Sequence, residues 1–337
     1  MNRELAINIA DTIMYEGYML YPYRPSAIKN RQRWTFGILY PPTYGEVQAG
    51  TERSLMHSEC LLKTSGKAAV QVHARFLQLI TKQVAERVEQ AFKPVPSLMI
   101  DGQLIESWDE GVERSARLEF PLEVTEHAVE FAFPASNRSE SLLNGVGEVV
   151  ANTIRTQHEI RGKLCVSAEK IRNDVWKFKI DVVNTNAQTF DARDRNEALL
   201  RSMLTAHSVV TSLGGEFISL LDPPEDLRAV AASCRNVGNF PVLVGENGER
   251  DMMLCSPILL YDYPQIAPES AGDFFDATEM DEMLTLRVMT LSDDEKKEML
   301  GDDRMRELLE RTEQSAREQL MRTHGTIRGL HRIPEQS

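Results

Sequence analysis

The stretch VWKFKIDVV, residues 175–183, decides how the first half of this chain reads. Trp176, Phe178, Ile180 and Val182 alternate with Lys177, Lys179 and Asp181. That period of two is the pattern of a strand with one face on a core and the other toward solvent. Residues 163–171 form a matching strand upstream, and Arg172-Asn173-Asp174 between them supplies turn formers. An antiparallel pair is predicted.

Further toward the N-terminus the same alternation recurs. Val70, Val72, Ala74 and Phe76 alternate with Gln71, His73 and Arg75, and Leu118, Phe120, Leu122 and Val124 do likewise, as do Val129, Phe131 and Phe133. Asp101-Gly102 reads as a hairpin turn between residues 98–100 and 104–105. Many strands joined by turns rather than helices predict an antiparallel β-sandwich or barrel-like domain over residues 1–184. Residues 81–92 fit either a helix or a strand, and the polar stretch 136–147 reads as an exposed loop.

Past Asn184 the pattern changes. Asp194 and Glu197 have capping-box spacing, Leu199, Leu200, Met203, Leu204, His207 and Val210 share a helical face, and Gly214-Gly215 ends it. Strand 217–221 leads into Asp222-Pro223-Pro224-Glu225, a second helix start, with strand 242–244 after it. Residues 252–286 then carry an apolar run, a Pro- and Gly-punctuated loop with Tyr261, Tyr263, Phe274 and Phe275, and a helix opened by Asp276 and Glu279. Further amphipathic helices follow. The expectation is an α+β chain: the β domain, a mixed, helix-rich α/β domain over 185–324, and a frayed tail at 325–337.

Composition bounds the function. With 42% apolar and 26% charged residues in a chain of 337, this is the make-up of a soluble globular protein. No apolar run approaches the ~20 residues of a membrane span, and the N-terminus lacks a signal-peptide core, so a cytoplasmic location is expected. A net charge of −13 argues against a duplex nucleic-acid binder. Cys60, Cys165, Cys234 and Cys255 are scattered without a C-x-x-C, which predicts free thiols rather than a zinc or redox site.

Two charged segments are candidate partner faces. Residues 17–45 contain no acid and interleave Tyr21, Tyr23, Arg24, Lys29 and Arg31 with Trp34, Phe36, Ile38 and Tyr40, whose alternation also suits one face of a strand. The acidic stretch carries Asp262, Glu269, Asp273, Asp276 and Glu279 beside Tyr263, Phe274 and Phe275. Its acids suit a solvated helix start, a face for a basic partner, or a divalent cation, although the aromatic pair breaks the spacing of a calcium loop. His207, Cys234 and Asp262 or Glu269 are the remaining groups with possible chemistry, but no nucleophile elbow, Walker loop or dinucleotide fingerprint accompanies them. His57 and Cys60, three apart, lack the second pair that a zinc site needs.

Three phrases together resemble a known group. They are Tyr15-Glu16-Gly17-Tyr18-Met19-Leu20-Tyr21-Pro22-Tyr23-Arg24 with Lys29-Asn30-Arg31; Ala232-Ser233-Cys234-Arg235-Asn236; and Ser256-Pro257-Ile258-Leu259-Leu260-Tyr261-Asp262 running on to Glu279 and Asp281-Glu282. They are similar to a family of uncharacterised bacterial proteins encoded beside the genes of nickel-iron hydrogenases. The resemblance implies a non-catalytic accessory role in assembling or maturing the hydrogenase, exercised through a protein partner; no cofactor or metal is expected. An enzyme using Cys234, or a metal held by His207 and the loop acids, is the alternative.

Overall fold

A computed structural model of the chain describes residues 3–16, 36–124, 126–187 and 190–265, all of them within one compact unit. In chain order the first elements are helix α1 (Arg3–Glu16), helix α2 (Pro42–Val47), and strands β1 (Leu55–Lys63), β2 (Ala69–Val88), β3 (Ala91–Val95), β4 (Ser97–Ile100) and β5 (Gln103–Glu106). Strands β6 (Trp108–Pro121), β7 (Glu126–Phe133), β8 (Ser136–Leu143), β9 (Val149–Gln157), β10 (Ile160–Arg172) and β11 (Val175–Asn184) follow. Helix α3 (Arg195–Leu199), strands β12 (Leu204–Leu213) and β13 (Glu216–Ile218), helix α4 (Arg228–Ala232), and strands β14 (Phe240–Leu243) and β15 (Met252–Ser256) complete the series.

Two large antiparallel sheets hold all of these strands except β4 and β5, which form a two-stranded sheet of their own. One runs β13-β1-β11-β10-β7; the larger runs β14-β15-β12-β2-β9-β8, with β6 and β3 also pairing to β2. The predicted pair 163–171 and 175–183 is the β10–β11 hairpin, in the register Val166 to Ile180. The Asp101-Gly102 turn joins β4 to β5, and both residues have positive φ, 49° and 85°, as a primed hairpin turn requires.

The alternating residues do what their period dictates. Phe178, Ile180 and Val182 of β11 and Leu164 and Val166 of β10 meet Val70, Val72, Ala74 and Phe76 of β2 and Leu118 and Phe120 of β6 in one buried cluster between the sheets. Each fully buried side chain of this size contributes about 1.5–3 kcal/mol, so the face-to-face layers carry most of the fold's stability. Outside the larger sheet, α1 packs on β12 and β15, and Arg75 of β2 binds its Asp11 at 2.5 Å. Outside the smaller sheet, Leu227 and Ala231 at α4 cover Leu61, Val175 and Ile218.

The helix-rich second domain is overturned. Strand takes 54% of the structure and helix 13%, and β12, β14 and β15, all beyond Asn184, pair into the sheet built on β2. The helix expected through His207 and Val210 stops at Leu199, and β12 begins at Leu204. Asp194 does cap that short helix, accepting from the Asn196 N–H at 2.8 Å. The misreading has a physical cause. Residues 204–212 are buried on both faces of their strand, so no alternation marks it, and the apolar run fits a helical stripe equally well. Similarly, 136–143 is the edge strand β8, polar because both of its faces meet water, and 81–88 continues β2 as strand. Residues 36–40 form no strand; Leu39 alone bridges to Met203. Asp222 does not cap the following turn, and its N–H donates instead to Ser219 Oγ at 2.9 Å.

Among the described residues no helix is long and apolar enough to cross a membrane. Tyr21, Tyr23, Arg24, Lys29, Arg31, Glu269, Asp273, Phe274, Phe275, Asp276 and Glu279, and the helices expected after residue 276, lie outside the described residues.

Candidate functional site

Strand β1 carries two different sets of polar groups on its two faces. Ser58 and Cys60 point into the core, and His57 and Glu59 point outward over the smaller sheet, beside Asp181 and Lys179 in register on β11. His57 and Cys60 are therefore on opposite faces of one strand, and no common metal can join them. Cys60 and Cys255 share a side-chain hydrogen bond within the core.

Glu59 is a nearly buried carboxylate, 5% exposed, with a full set of partners. Lys177 Nζ lies at 2.7 Å and Lys179 Nζ at 3.8 Å, the Arg235 N–H donates to it at 2.8 Å, and His57 Nε2 stands 3.6 Å away. Burial alone would push its acidity weaker, but the Lys177 ammonium and the Arg235 N–H prevail and hold the carboxyl below its ordinary range. His57 Nδ1 meets Asp181 Oδ1 at 2.6 Å.

This node fastens the loop that follows α4. The Glu59 N–H donates to Asn236 Oδ1 at 2.9 Å, and His57 and Val237 exchange two backbone hydrogen bonds of 3.0 and 2.8 Å. Asn239 accepts from Ser58 Oγ at 2.9 Å and donates to the His57 carbonyl at 2.8 Å. Loop 235–239 is thus laced to β1 through side chain and backbone alike.

Beside the lacing lies a cleft of ≈300 Å³. Leu39, Met56 and Ala206 form its buried floor, and Asn236, Val237, Gly238, Phe240, Pro257 and Arg53 stand around it. Gly37 makes the close approach possible: its φ is +60°, and a Cβ there would come 2.8 Å from Pro257 Cβ and 3.1 Å from Thr205 Cα. The Arg53 side chain lies along Gly238, whose hypothetical Cβ would sit 3.6 Å from Nη1. Among the described residues its guanidinium has no hydrogen-bond or ion-pair partner, and Asn236 engages only its oxygen. The cleft therefore offers an apolar floor with an unmatched cation and an amide donor, a combination that suits an apolar side chain beside a carboxylate. A second cavity of ≈390 Å³, between Ile7 of α1 and Gln71, His73, Arg117 and Glu119, is more polar, and Gln71 and Glu119 bond across it at 3.0 Å.

The groups expected to carry chemistry are dispersed. His207 lies on β12 facing α1, outside the larger sheet, whereas Cys234 packs outside the smaller one. Burial pulls the His207 imidazole down to about 3, and its Nδ1 lies 2.8 Å from the Thr205 carbonyl. Burial pushes the Cys234 thiol up, with Lys177 opposing, so a thiolate is disfavoured. Asp262 latches a loop, accepting from Ser219 Oγ at 2.5 Å and the Leu243 N–H at 2.8 Å. Tyr263 packs against the core and donates its hydroxyl to the Glu249 carbonyl at 2.9 Å. No cluster of three His, Cys, Asp or Glu groups able to hold a metal occurs among the described residues.

Sequence reading missed Arg53, Glu59 and Gly37. The one available signal was Glu59, an acid set directly before the apolar run Cys60-Leu61-Leu62. Arg53 and Gly37 are in loops whose meeting depends on the fold. No protein-family model matches the chain, and no curated protein matches it either.

Proposed function

We propose that this chain is a non-catalytic accessory protein that works by binding another protein, and that the partner is a subunit or maturation factor of a nickel-iron hydrogenase, as the sequence resemblance implies. The observation that carries the binding reading is the cleft: an apolar floor, walls laced by the Glu59 node, and the Arg53 guanidinium, unmatched among the described residues. Such a site recognises a protruding apolar residue with an acidic neighbour, and the positive charge selects among partners more than it adds affinity. Two of the three phrases that carry the resemblance reach this cleft, through Asn236 and through Pro257.

The test is affinity capture from cells that make a hydrogenase, with wild-type chain and Arg53→Glu side by side. A hydrogenase subunit or maturation factor retained by the wild type and lost with Arg53→Glu, at an unchanged melting temperature, is the expected result. Capture that ignores the Arg53 change removes the cleft from the interface. If no hydrogenase component is retained at all, the assignment fails. The acid-free segment with Tyr21, Tyr23, Arg24, Lys29 and Arg31, and the acids Asp273, Asp276 and Glu279 with Phe274 and Phe275, are proposed as further contact residues. Charge-neutralising changes there test them by the same assay.

A further inference from the structure

Strand β8 is the last strand of the larger sheet, with β9 on one side and no strand on the other among the described residues. Its residues from Asn137 to Ser141 are all exposed. Proteins usually blunt such an edge with proline, a bulge or a covering loop, because its free N–H and C=O groups template pairing with another chain. Here the only irregularity is at the far end, between Leu142 and Leu143. The body of the strand keeps one register with β9 and is exposed.

The charges on β8 say what would complete it. A ladder of ion pairs crosses this face of the sheet: Lys82 of β2 reaches Glu110 of β6 at 3.8 Å, Arg155 of β9 reaches Glu110 at 2.9 Å, and Arg155 reaches Glu140 of β8 at 3.3 Å. The ladder ends on Glu140, whose side chain is 71% exposed. Two residues earlier on the same face, Arg138 stands opposite Arg155 in register and has no carboxylate partner among the described residues. Like charges directly opposite are unfavourable, so Arg138 lacks an acid on the open side of the edge.

We propose that the chain forms a symmetric dimer by antiparallel pairing of β8 with β8 of a second copy, centred on Ser139. In that register Arg138 stands opposite Glu140 of the second copy, and the reverse pair forms by symmetry, so one operation matches both charges. Asn137 then faces Ser141, and Ser136 faces Leu142. Moving the centre to Glu140 or to Arg138 sets identical charges against each other, and moving it by half a step opposes each charge with an uncharged residue, Ser139, Ser141 or Asn137. The ion-pair ladder continues unbroken across the two copies only when the centre is Ser139.

Sedimentation velocity of the full chain over a concentration series tests this, with far-UV circular dichroism as the control for folding. The wild type is expected to show a concentration-dependent shift to twice the chain mass. Glu140→Arg sets Arg against Arg at both cross-copy positions and weakens the dimer about tenfold or more, and Arg138→Glu does the same with acids. The combined Arg138→Glu and Glu140→Arg chain recreates both pairs and returns to within about threefold of wild type. Because Glu140→Arg also removes the Arg155 contact, that recovery separates pairing between copies from damage within one copy. A single-chain mass at every concentration overturns the proposal and leaves the edge to a strand of another protein. A dimer indifferent to Glu140→Arg, or a combined variant no better than the single ones, overturns it equally.

Discussion

His207 makes the fold sensitive to mild acid, and the effect can be sized from its surroundings. The imidazole is fully buried between β12 and α1, with Arg75 and His73 adding positive field, and its pKa is pulled from 6.5 to about 3. The Thr205 carbonyl can only accept, so Nδ1 carries the proton of the neutral ring, and Nε2 is left buried without a partner among the described residues. Between about pH 6.5 and 3 the unfolded chain binds a proton here that the folded chain refuses, so stability rises with pH across that window. The contribution is intact above the unfolded value and is drained as pH falls toward the folded one. At pH 5 the loss from this one group is about 2 kcal/mol relative to pH 8. Urea unfolding of wild type and His207→Gln at pH 8 and pH 5 isolates it, since groups common to both cancel. The stability difference between the two proteins should change by about 2 kcal/mol in favour of His207→Gln on acidification. If the two lose stability in parallel, the imidazole is not held neutral by burial and the argument is refuted.

Two further changes probe the walls of the cleft. Glu59→Gln leaves the Lys177 ammonium, 13% exposed, without its counter-charge and should cost about 3 kcal/mol in urea unfolding, while adding Lys177→Met should return at least half; a loss under about 1 kcal/mol would show that the node does not brace β1. Gly37→Ala meets both a left-handed backbone and Pro257 and should cost roughly 2 kcal/mol, with a coupling to Pro257→Gly of about 1 kcal/mol in a double-mutant cycle; no coupling would mean that loop 36–39 relaxes away from Pro257.

How much of this was legible depended on whether a strand had one wet face. β10, β11, β2 and β6 alternate because one side meets the core and the other meets water or a polar neighbour, and their residues were placed correctly from period alone. β12 is dry on both sides and β8 is wet on both, so neither leaves an alternation to read. The change of β2's outer face from polar at Gln71, His73 and Arg75 to apolar at Leu77 and Leu79 was equally hidden. Phe76 faces the core and Leu77 and Leu79 face the outer cluster, matched on β12 by the bulge at Thr205, φ 50°, which turns Leu204 outward and Ala206 inward. Sequence spacing identified Cys234, His207 and Asp262 as reactive types but held no information on which sheet face each would occupy. The cleft is further from reach still, since Gly37, Arg53, Asn236 and Pro257 come from four separate segments.

The placement of charge around β1 implies that recognition at the cleft rests on a rigid frame with one adaptable group. Asn236 and Asn239 are held by hydrogen bonds to β1, Val237 is paired to His57 by backbone, and Leu39, Met56 and Ala206 are buried. None of these can move far without breaking a buried polar contact, at about 1–3 kcal/mol for each group left unsatisfied. Arg53 is under no such constraint: it rests against a glycine, and no acid among the described residues holds it. A partner therefore meets a preformed apolar seat, with little ordering cost on this side, and a long cationic arm that can settle onto a carboxylate once the seat is filled. An arm of this kind tolerates some variation in where the partner's acid lies but not its loss. Neutralising the acid on the partner should then weaken binding as much as Arg53→Glu does, whereas shifting it by one residue should matter less.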